Sequence, residues 1–466
     1  MNVEDIFVFQ ESLLHRFVDG QCIAVGPSGR DFFHFNQLGS EILRHMAGGN
    51  SIATVTDLLL ETLPPGTVDR PTLLDDVAEF TQQSLSLGVL HRHEEPPAEV
   101  QQLDSSAWHD DLLNAGAELN RPLWAKIEIA RRCHLQCRHC YIPADQRQHS
   151  SIPVAERAAE DFSFDELSDL LDQLAELGTI LVTFTGGEIF LRKDMEDIVR
   201  AASDRGFAVE LITSATPLTA ARIERLSESR LSRVQVSVYS HRPEVHDRFT
   251  GSKGAFQRSL AAMRLLSEHG LTVELACTIL PENHSELTQI AELAESVGAR
   301  CSWGYPITAQ TDGNLQPHQM RLDERQLRSV VETIPEFFAL PPQRGPERRI
   351  CGAGVSMLSI DAAGNVLPCS QFQLPAGNVR SRRLAEIWQS SEVLQRVRSL
   401  RYGDLKTPRA SDAQAAYVGL CPGLNLLEEG DFLIPAQITS QTTQFVNKLL
   451  NESDVAEELR SRLQAG

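Results

Sequence analysis

Between residues 121 and 310 strand-like and helix-like segments alternate, and this alternation limits the fold more than any other feature of the chain. "LWAKIEIA" reads as a buried strand, and "ILVTFTGGE", "FAVELIT", "RVQVSVYS", "LTVELACTIL" and "RCSWGYP" read as five more. Apolar-periodic helices separate them. One, "SFDELSDLLDQLAELG", has a serine cap, an acidic first turn and a terminal glycine. Six strands with crossover helices require a parallel α/β sheet, open or curved into a partial barrel. In such sheets the site lies at the C-terminal strand ends. Two unusual stretches fall there: "CHLQCRHCY" after the first strand and Gly186-Gly187-Glu188 after the second.

The first stretch sets Cys133, Cys137 and Cys140 in a C-x3-C-x2-C spacing. At the chain's cysteine content this pattern arises by chance only about 0.003 times, so it has a chemical purpose. Structural zinc takes four closed ligands, with His134 or His139 available as the fourth, but usually draws them from two separated segments. Three thiolates on one loop instead suit a [4Fe–4S] cluster held at three irons, whose open fourth iron can bind a cofactor or substrate.

Residues 133–141, joined by Thr185-Gly186-Gly187-Glu188 at the next strand end, resemble the radical S-adenosylmethionine (radical SAM) superfamily. The resemblance implies a partial (β/α)6 barrel whose open iron chelates the methionine amine and carboxylate of S-adenosylmethionine. Gly186 and Gly187 would let backbone approach that amine, and Glu188 would accept from it. Ser237 matches the polar residue near the cofactor's ribose or carboxylate. An aspartate usually stands two residues on, where this chain has Tyr239. His139 occupies the position of an aromatic residue that meets adenine. Cys277 and Cys301 lie in barrel strands, where cysteine serves as a small core hydrophobe or, in an epimerase, as a hydrogen-atom donor.

The flanks divide into further units. Residues 1–91 read as a hairpin, three helices and a final strand, a winged-helix-like plan, with Cys22 as packing in the hairpin. Asn36 and Ser51 fit as helix caps. With 12 acidic and 4 basic residues in this stretch, phosphate binding is disfavoured and a peptide partner is favoured. The pattern resembles PqqD-like leader-peptide recognition domains. Residues 92–120 suit a linker, and 311–350 a connecting segment. Within 351–430, Cys351 and Cys369 frame a C-x12-G-x4-C pattern that resembles the SPASM extension of peptide-modifying radical enzymes. The extension is degenerate. With Cys421 at the third position of its next block, Asp412, Ala415 and Asn425 stand where cysteines are usual. Cys351, Cys369 and Cys421 leave room for one auxiliary iron–sulfur cluster, or for a cluster-free remnant. Residues 431–466 form a C-terminal helical segment.

A net charge of −20 argues against nucleic-acid binding, and no 18-residue apolar run or signal peptide is present, so a cytoplasmic, membrane-free enzyme is expected. The resemblances imply a maturase that cross-links or epimerises a ribosomally made precursor peptide, held by its leader. They also imply an electron donor such as a flavodoxin or ferredoxin. Two alternatives remain: a radical enzyme acting on a folded protein or small metabolite, and a non-enzymatic peptide-binding scaffold with structural zinc.

Overall fold

The structure is a computed structural model that describes residues 2–27, 29, 31–64, 66–93, 108–147, 161–338, 345–406 and 419–451. Its N-terminal part opens with β1 (Phe7–Phe9) and an antiparallel sheet of β2 (Leu14–Val18), β3 (Gln21–Val25) and β4 (Phe32–His34). Helices α1 (Gln37–Ala47), α2 (Ile52–Thr62) and α3 (Arg70–Ser86) follow, and β5 (Leu90–Arg92) returns to pair with β1. Asn36 and Ser51 accept from the backbone amides of Gly39 and Thr54, which satisfies amides that the helices leave orphaned. Cys22 is buried among Phe7, Leu43, Met46 and Val55.

The linker expected over residues 92–120 is corrected in its second half. Residues 108–119 form helix α4 (Trp108–Leu119), because Trp108, Leu112, Ala115 and Leu119 recur on one face and bury against β3, β4 and the barrel.

The barrel strands are β6 (Trp124–Ala130), β7 (Leu181–Gly186), β8 (Ala208–Thr213), β9 (Leu231–Ser237), β10 (Val273–Thr278) and β11 (Arg300–Gly304). They pair in parallel and in chain order, as the alternation requires. Helices Phe164–Glu176 (α5), Met195–Asp204 (α6), Ala220–Ser227 (α7), Pro243–Thr250 (α8), Ala255–Glu268 (α9) and Leu287–Glu295 (α10) accompany them. Period-two alternation sorts the side chains. Ala125, Ile127 and Ile129 of β6 join the aliphatic layer beneath the helices, while Lys126 and Glu128 face the lumen.

The lumen is polar at its base. Arg233 bridges Glu210 at 2.7 Å and Glu274 at 2.8 Å, Gln235 donates to Glu274, and Thr183 links Trp124 Nε1 to Glu210. A guanidinium between two buried carboxylates is tolerable only because each charge is paired and hydrogen-bonded.

The C-terminal extension continues the barrel sheet. Strand β12 (Met357–Ile360) pairs in parallel with β6, and β13 (Asn365–Leu367) and β14 (Gly377–Asn378) add on antiparallel. The expected terminal helix runs over Gln437–Asn451 among described residues.

The N-terminal sheet docks on the N-terminal ends of the barrel strands. Val18, Ile23, Val25 and Phe32 pack with Leu123, Ile180, Leu181 and Ala208. Arg16 donates to the carbonyls of Ala175 and Arg205, at 2.9 and 2.8 Å, and lies over the Phe207 ring. Those carbonyls close α5 and α6, where the helix dipole is negative. Arg16→Ala should therefore cost about 2 kcal/mol and lower the thermal unfolding midpoint by several degrees. An unchanged midpoint would show that this contact does not hold the two parts together.

Candidate active site

Strand β6 ends at Ala130 and releases the cysteine loop at the top of the barrel. The loop is pinned at several points. Gln136 N–H donates to Thr250 O at 2.8 Å, Leu135 N–H to Cys133 Sγ at 3.4 Å, and Gln310 Nε2 to Cys140 O at 3.2 Å. Tyr141 donates its hydroxyl proton to Glu128 at 2.8 Å. Burial pushes the Glu128 carboxyl up, and the contact ties the loop's end to the lumen.

The second strand end locks onto this loop. Gly187 N–H donates to Ala130 O, and Glu188 N–H to Arg132 O, both at 2.8 Å. A Cβ on Gly186 would stand 2.2 Å from Ala130 O, and one on Gly187 2.2 Å from Arg132 O. Gly186 also has φ +133°, a backbone region few side chains adopt. The glycine pair is thus required by the chain's own backbone crossing, in addition to whatever it offers a ligand.

Glu188 is 1% exposed. One carboxylate oxygen accepts from Thr213 Oγ1 at 2.6 Å and Phe190 N–H at 3.0 Å. The other accepts from Ser214 N–H at 2.9 Å and Ser214 Oγ at 2.5 Å. Four donors fill a carboxylate's acceptor sites. In the structure Glu188 thus braces β7 to the end of β8. Sequence reading missed Thr213 and Ser214; only their place at the end of "FAVELITS", level with the other two strand ends, marked them.

A cavity of about 370 Å³ opens over these strand ends, within the range of small-ligand sites. Cys133, Cys137, Cys140, Gly186, Gly187, Glu188, His139 and Ser237 all line it. Tyr239 lines it too. His139 sits edge-on to Tyr239, with ring centroids 4.9 Å apart, and is 3.4 Å from Thr278 Oγ1. Gln371, from the C-terminal extension, reaches the same cavity.

The two strand cysteines are placed differently. Cys277 borders the cavity but belongs to the layer between sheet and helices. It is 1% exposed, its sulfur accepts from Asn283 Nδ2 at 3.4 Å, and burial raises its pKa. Cys301 packs against that layer and does not line the cavity. Strand alternation turns both away from the lumen, a position that suits packing.

In the extension, Cys351 and Cys369 are pushed up to about 12 by burial, and Cys421 is raised by burial as well. The charge of Cys421 further raises both of the others, so the three lie within electrostatic reach. Backbone amides point at each sulfur: Ala353 at Cys351, Gln371 and Phe372 at Cys369, and Leu424 and Gly423 at Cys421. Such N–H donors tune iron–sulfur ligands. Asn425 stands one helical turn from Cys421, but its amide is spent on Phe432 O and Ala436 N–H. Asp412 and Ala415 lie outside the described residues.

Two family models match the chain: the radical SAM superfamily over residues 127–294, and SPASM, an iron–sulfur cluster-binding domain, over 351–421. PqqA peptide cyclase of Bradyrhizobium diazoefficiens is 30% identical over 309 residues, covering 62% of this chain and 77% of the relative. The chain belongs to the radical SAM superfamily. AdoMet-dependent heme synthase of Methanosarcina barkeri is 27% identical over 310 residues, covering 60% of this chain and 86% of the relative. Among solved structures, Streptococcus suis SuiB bound to precursor peptide SuiA superposes with a TM-score of 0.64 at 14% identity. That match covers 93% of this chain and 99% of SuiB, and it shows a shared fold.

As a radical SAM enzyme the protein uses a [4Fe–4S] cluster and S-adenosylmethionine, and its SPASM region implies auxiliary cluster binding. The zinc-scaffold alternative is set aside on this ground. Among the described residues no three His, Cys, Asp or Glu side chains gather as a single-ion site. No described helix is long and apolar enough to cross a membrane.

Gly187→Ala should break the backbone crossing and displace the cysteine loop. After anaerobic reconstitution, iron and sulfide bound by this variant should fall by about four atoms each per chain. Full retention would contradict the locking role of the glycine pair.

Proposed function

We propose that Cys133, Cys137 and Cys140 hold the radical SAM cluster, and that the protein modifies a precursor peptide at the mouth of the barrel. The observation that carries the reading is that all three thiols line one cavity together with Gly186, Gly187, Ser237 and His139. When bound there, the cluster and S-adenosylmethionine supply a 5′-deoxyadenosyl radical able to take hydrogen from an unactivated carbon.

The chain's own residues orient and protect. Gly186 and Gly187 would present backbone to the cofactor's amino-acid end, while Glu188 keeps that backbone in place through Thr213 and Ser214. Ser237 and Tyr239, where an aspartate is usual, would face the ribose, and His139 would face adenine. Below the cavity, the Arg233 network and the docked N-terminal sheet keep water from entering through the base. Cys351, Cys369 and Cys421 would hold one auxiliary cluster, with Asp412 among the candidates for its fourth ligand.

A peptide substrate is supported by the relatives. PqqA peptide cyclase is named for a peptide, and SuiB carries one in its structure. Residues 1–91 would hold the leader, which raises the core's effective concentration at the site. This part lies at the opposite end of the barrel from the cavity, and β6 alone is 7 residues long. At 3.3 Å per residue a strand of that length spans about 23 Å. The substrate therefore needs a spacer of at least about 7 extended residues between leader and core. The electron donor is a reduced carrier protein, and the expected setting is the cytoplasm.

Two measurements check this reading. Anaerobically reconstituted protein given dithionite and S-adenosylmethionine should release 5′-deoxyadenosine, and the Cys133→Ala, Cys137→Ala, Cys140→Ala triple variant should release none. Equal release from both would refute the cluster assignment. With a precursor identified from an adjacent short reading frame, shortening the spacer below ~7 residues should abolish turnover while leaving leader affinity unchanged. Undiminished turnover would place the leader site elsewhere.

A further inference from the structure

Just past the end of β8 the chain makes a strained turn. Ala215 is buried yet takes φ +58°, a left-handed region that residues with a side chain seldom enter. Such strain persists only where the surroundings hold it, and it gathers at functional positions. Here it is held from two sides. Ala215 N–H donates to Thr213 Oγ1 at 2.8 Å, and Ser259 Oγ of α9 donates to Ser214 O at 2.7 Å. The turn folds Thr216 back over Ser214, with the two hydroxyl oxygens 2.9 Å apart.

A file of hydrogen-bonded side chains results, running from the cysteine loop to Glu188. His134 Nε2 lies 2.7 Å from Thr216 Oγ1, Thr216 Oγ1 meets Ser214 Oγ, and Ser214 Oγ donates to the Glu188 carboxylate at 2.5 Å. Glu188 and Ser214 line the cavity, whereas Thr216 and His134 do not border it.

Counting donors gives this file a purpose. Glu188 is the only carboxylate among the described residues that line the cavity, so an amine bound there has this one counter-charge. Yet its acceptor positions are all filled. For an amine to be accepted, one donor has to turn away. The amides of Phe190 and Ser214 are fixed in the backbone. Thr213 Oγ1 accepts from Ala215 N–H and has Glu188 as its one acceptor among the described residues. The Ser214 hydroxyl alone has a second acceptor at hand, which is Thr216 Oγ1.

We propose that Ser214, Thr216 and His134 form a reversible relay that vacates one acceptor position on Glu188 for the amine of S-adenosylmethionine. The proposal rests on the cavity holding that cofactor, as argued above. In one setting every proton points toward Glu188: His134 Nε2–H to Thr216, Thr216 to Ser214, and Ser214 to the carboxylate. In the other, Ser214 donates to Thr216 and Thr216 donates to His134 Nε2, which accepts in the second tautomer of the neutral ring. The hydroxyls rotate, and the ring proton moves between the two imidazole nitrogens through solvent, since His134 is exposed. Net charge is unchanged and no bond between heavy atoms is made or broken. Thr216 and His134 are thus positioning residues, acting on the cofactor through Ser214 and Glu188.

The test uses the full-length protein, reconstituted anaerobically and left unreduced so that no turnover occurs. Equilibrium affinity for S-adenosylmethionine is measured by calorimetry, with iron content and thermal midpoint alongside. Thr216→Val keeps the side chain's shape but removes the second acceptor, which holds the Ser214 hydroxyl on Glu188. It should weaken binding about tenfold at parental iron content. Thr216→Ser should bind as the parent does. Adding Ser214→Ala to Thr216→Val removes the blocking donor and leaves Glu188 braced by Thr213 and two amides. That double variant should return to within about threefold of parental affinity.

A second substitution that restores what the first removed is non-additivity of a kind that a merely structural role does not produce. Parental affinity in Thr216→Val would overturn the proposal, as would a double variant that binds no tighter than Thr216→Val. Should Thr216→Val fail to fold or to take up iron, Ser214→Ala alone decides. Affinity equal to or above the parent's supports the relay, and weaker binding overturns it. If the parent itself binds no S-adenosylmethionine, the reading of the cavity fails instead, which is a separate result.

Discussion

The arrangement depends on one backbone crossing. Gly187 and Glu188 donate to the carbonyls of Ala130 and Arg132, and no Cβ fits at Gly186 or Gly187. Two parallel strands that end side by side would otherwise send their loops apart. Here the second loop is bonded to the first, and the Glu188 carboxylate binds both to the end of the third strand through Thr213 and Ser214. Three strand ends become one rigid rim, and the cysteines hang from it. Chemistry at such a site is sensitive to displacements of an ångström or less, and backbone bonds between strands are the firmest support a fold offers.

That rim belongs to a barrel that is closed at one end and open at the other. Paired charges of Arg233, Glu210 and Glu274 fill the lower lumen, and the N-terminal sheet covers the base with Val18, Ile23, Val25 and Phe32. A reactive intermediate made above this plug meets only the groups around the mouth. One of these is Gln371, delivered by an extension whose first strand, β12, is bonded to β6, the strand that carries the cysteine loop. The extension and the cysteine loop are thus parts of one sheet, which gives Cys351, Cys369 and Cys421 a fixed relation to the site.

The barrel was legible because its signals are local. Strand and helix periods, the Asn36 and Ser51 caps and the tight cysteine spacing each lie within a few residues of one another. Short elements without such signals were not seen. "FVF" and "LHRFV" form β1 and β2 only because β5 and β3 pair with them, and α4 is a helix because its apolar face has somewhere to bury. Long-range pairings were equally silent. Nothing near residue 357 announces that β12 joins β6, and nothing near Glu188 names Ser214. The chemical identity of the site was readable from cysteine, glycine and glutamate types, whereas their duties were read only in part. Glu188 also braces two strand ends, and the strand cysteines lie on the helix side because alternation puts them there. Tyr239, noted in sequence only as a missing aspartate, emerges as a cavity wall.

The central claim is that three thiolates on one rigid rim leave a single iron free to bind the amino-acid end of a sulfonium cofactor. Electron–nuclear double resonance reads this directly, on the reduced protein frozen with S-adenosylmethionine carrying a 15N-labelled amine. The account predicts a 15N coupling strong enough to require direct iron–nitrogen bonding. The Cys351→Ala, Cys369→Ala, Cys421→Ala variant should keep that coupling, since those thiols lie outside the rim. A reduced cluster that shows no such coupling, or shows it only while Cys351, Cys369 and Cys421 are intact, would contradict the account.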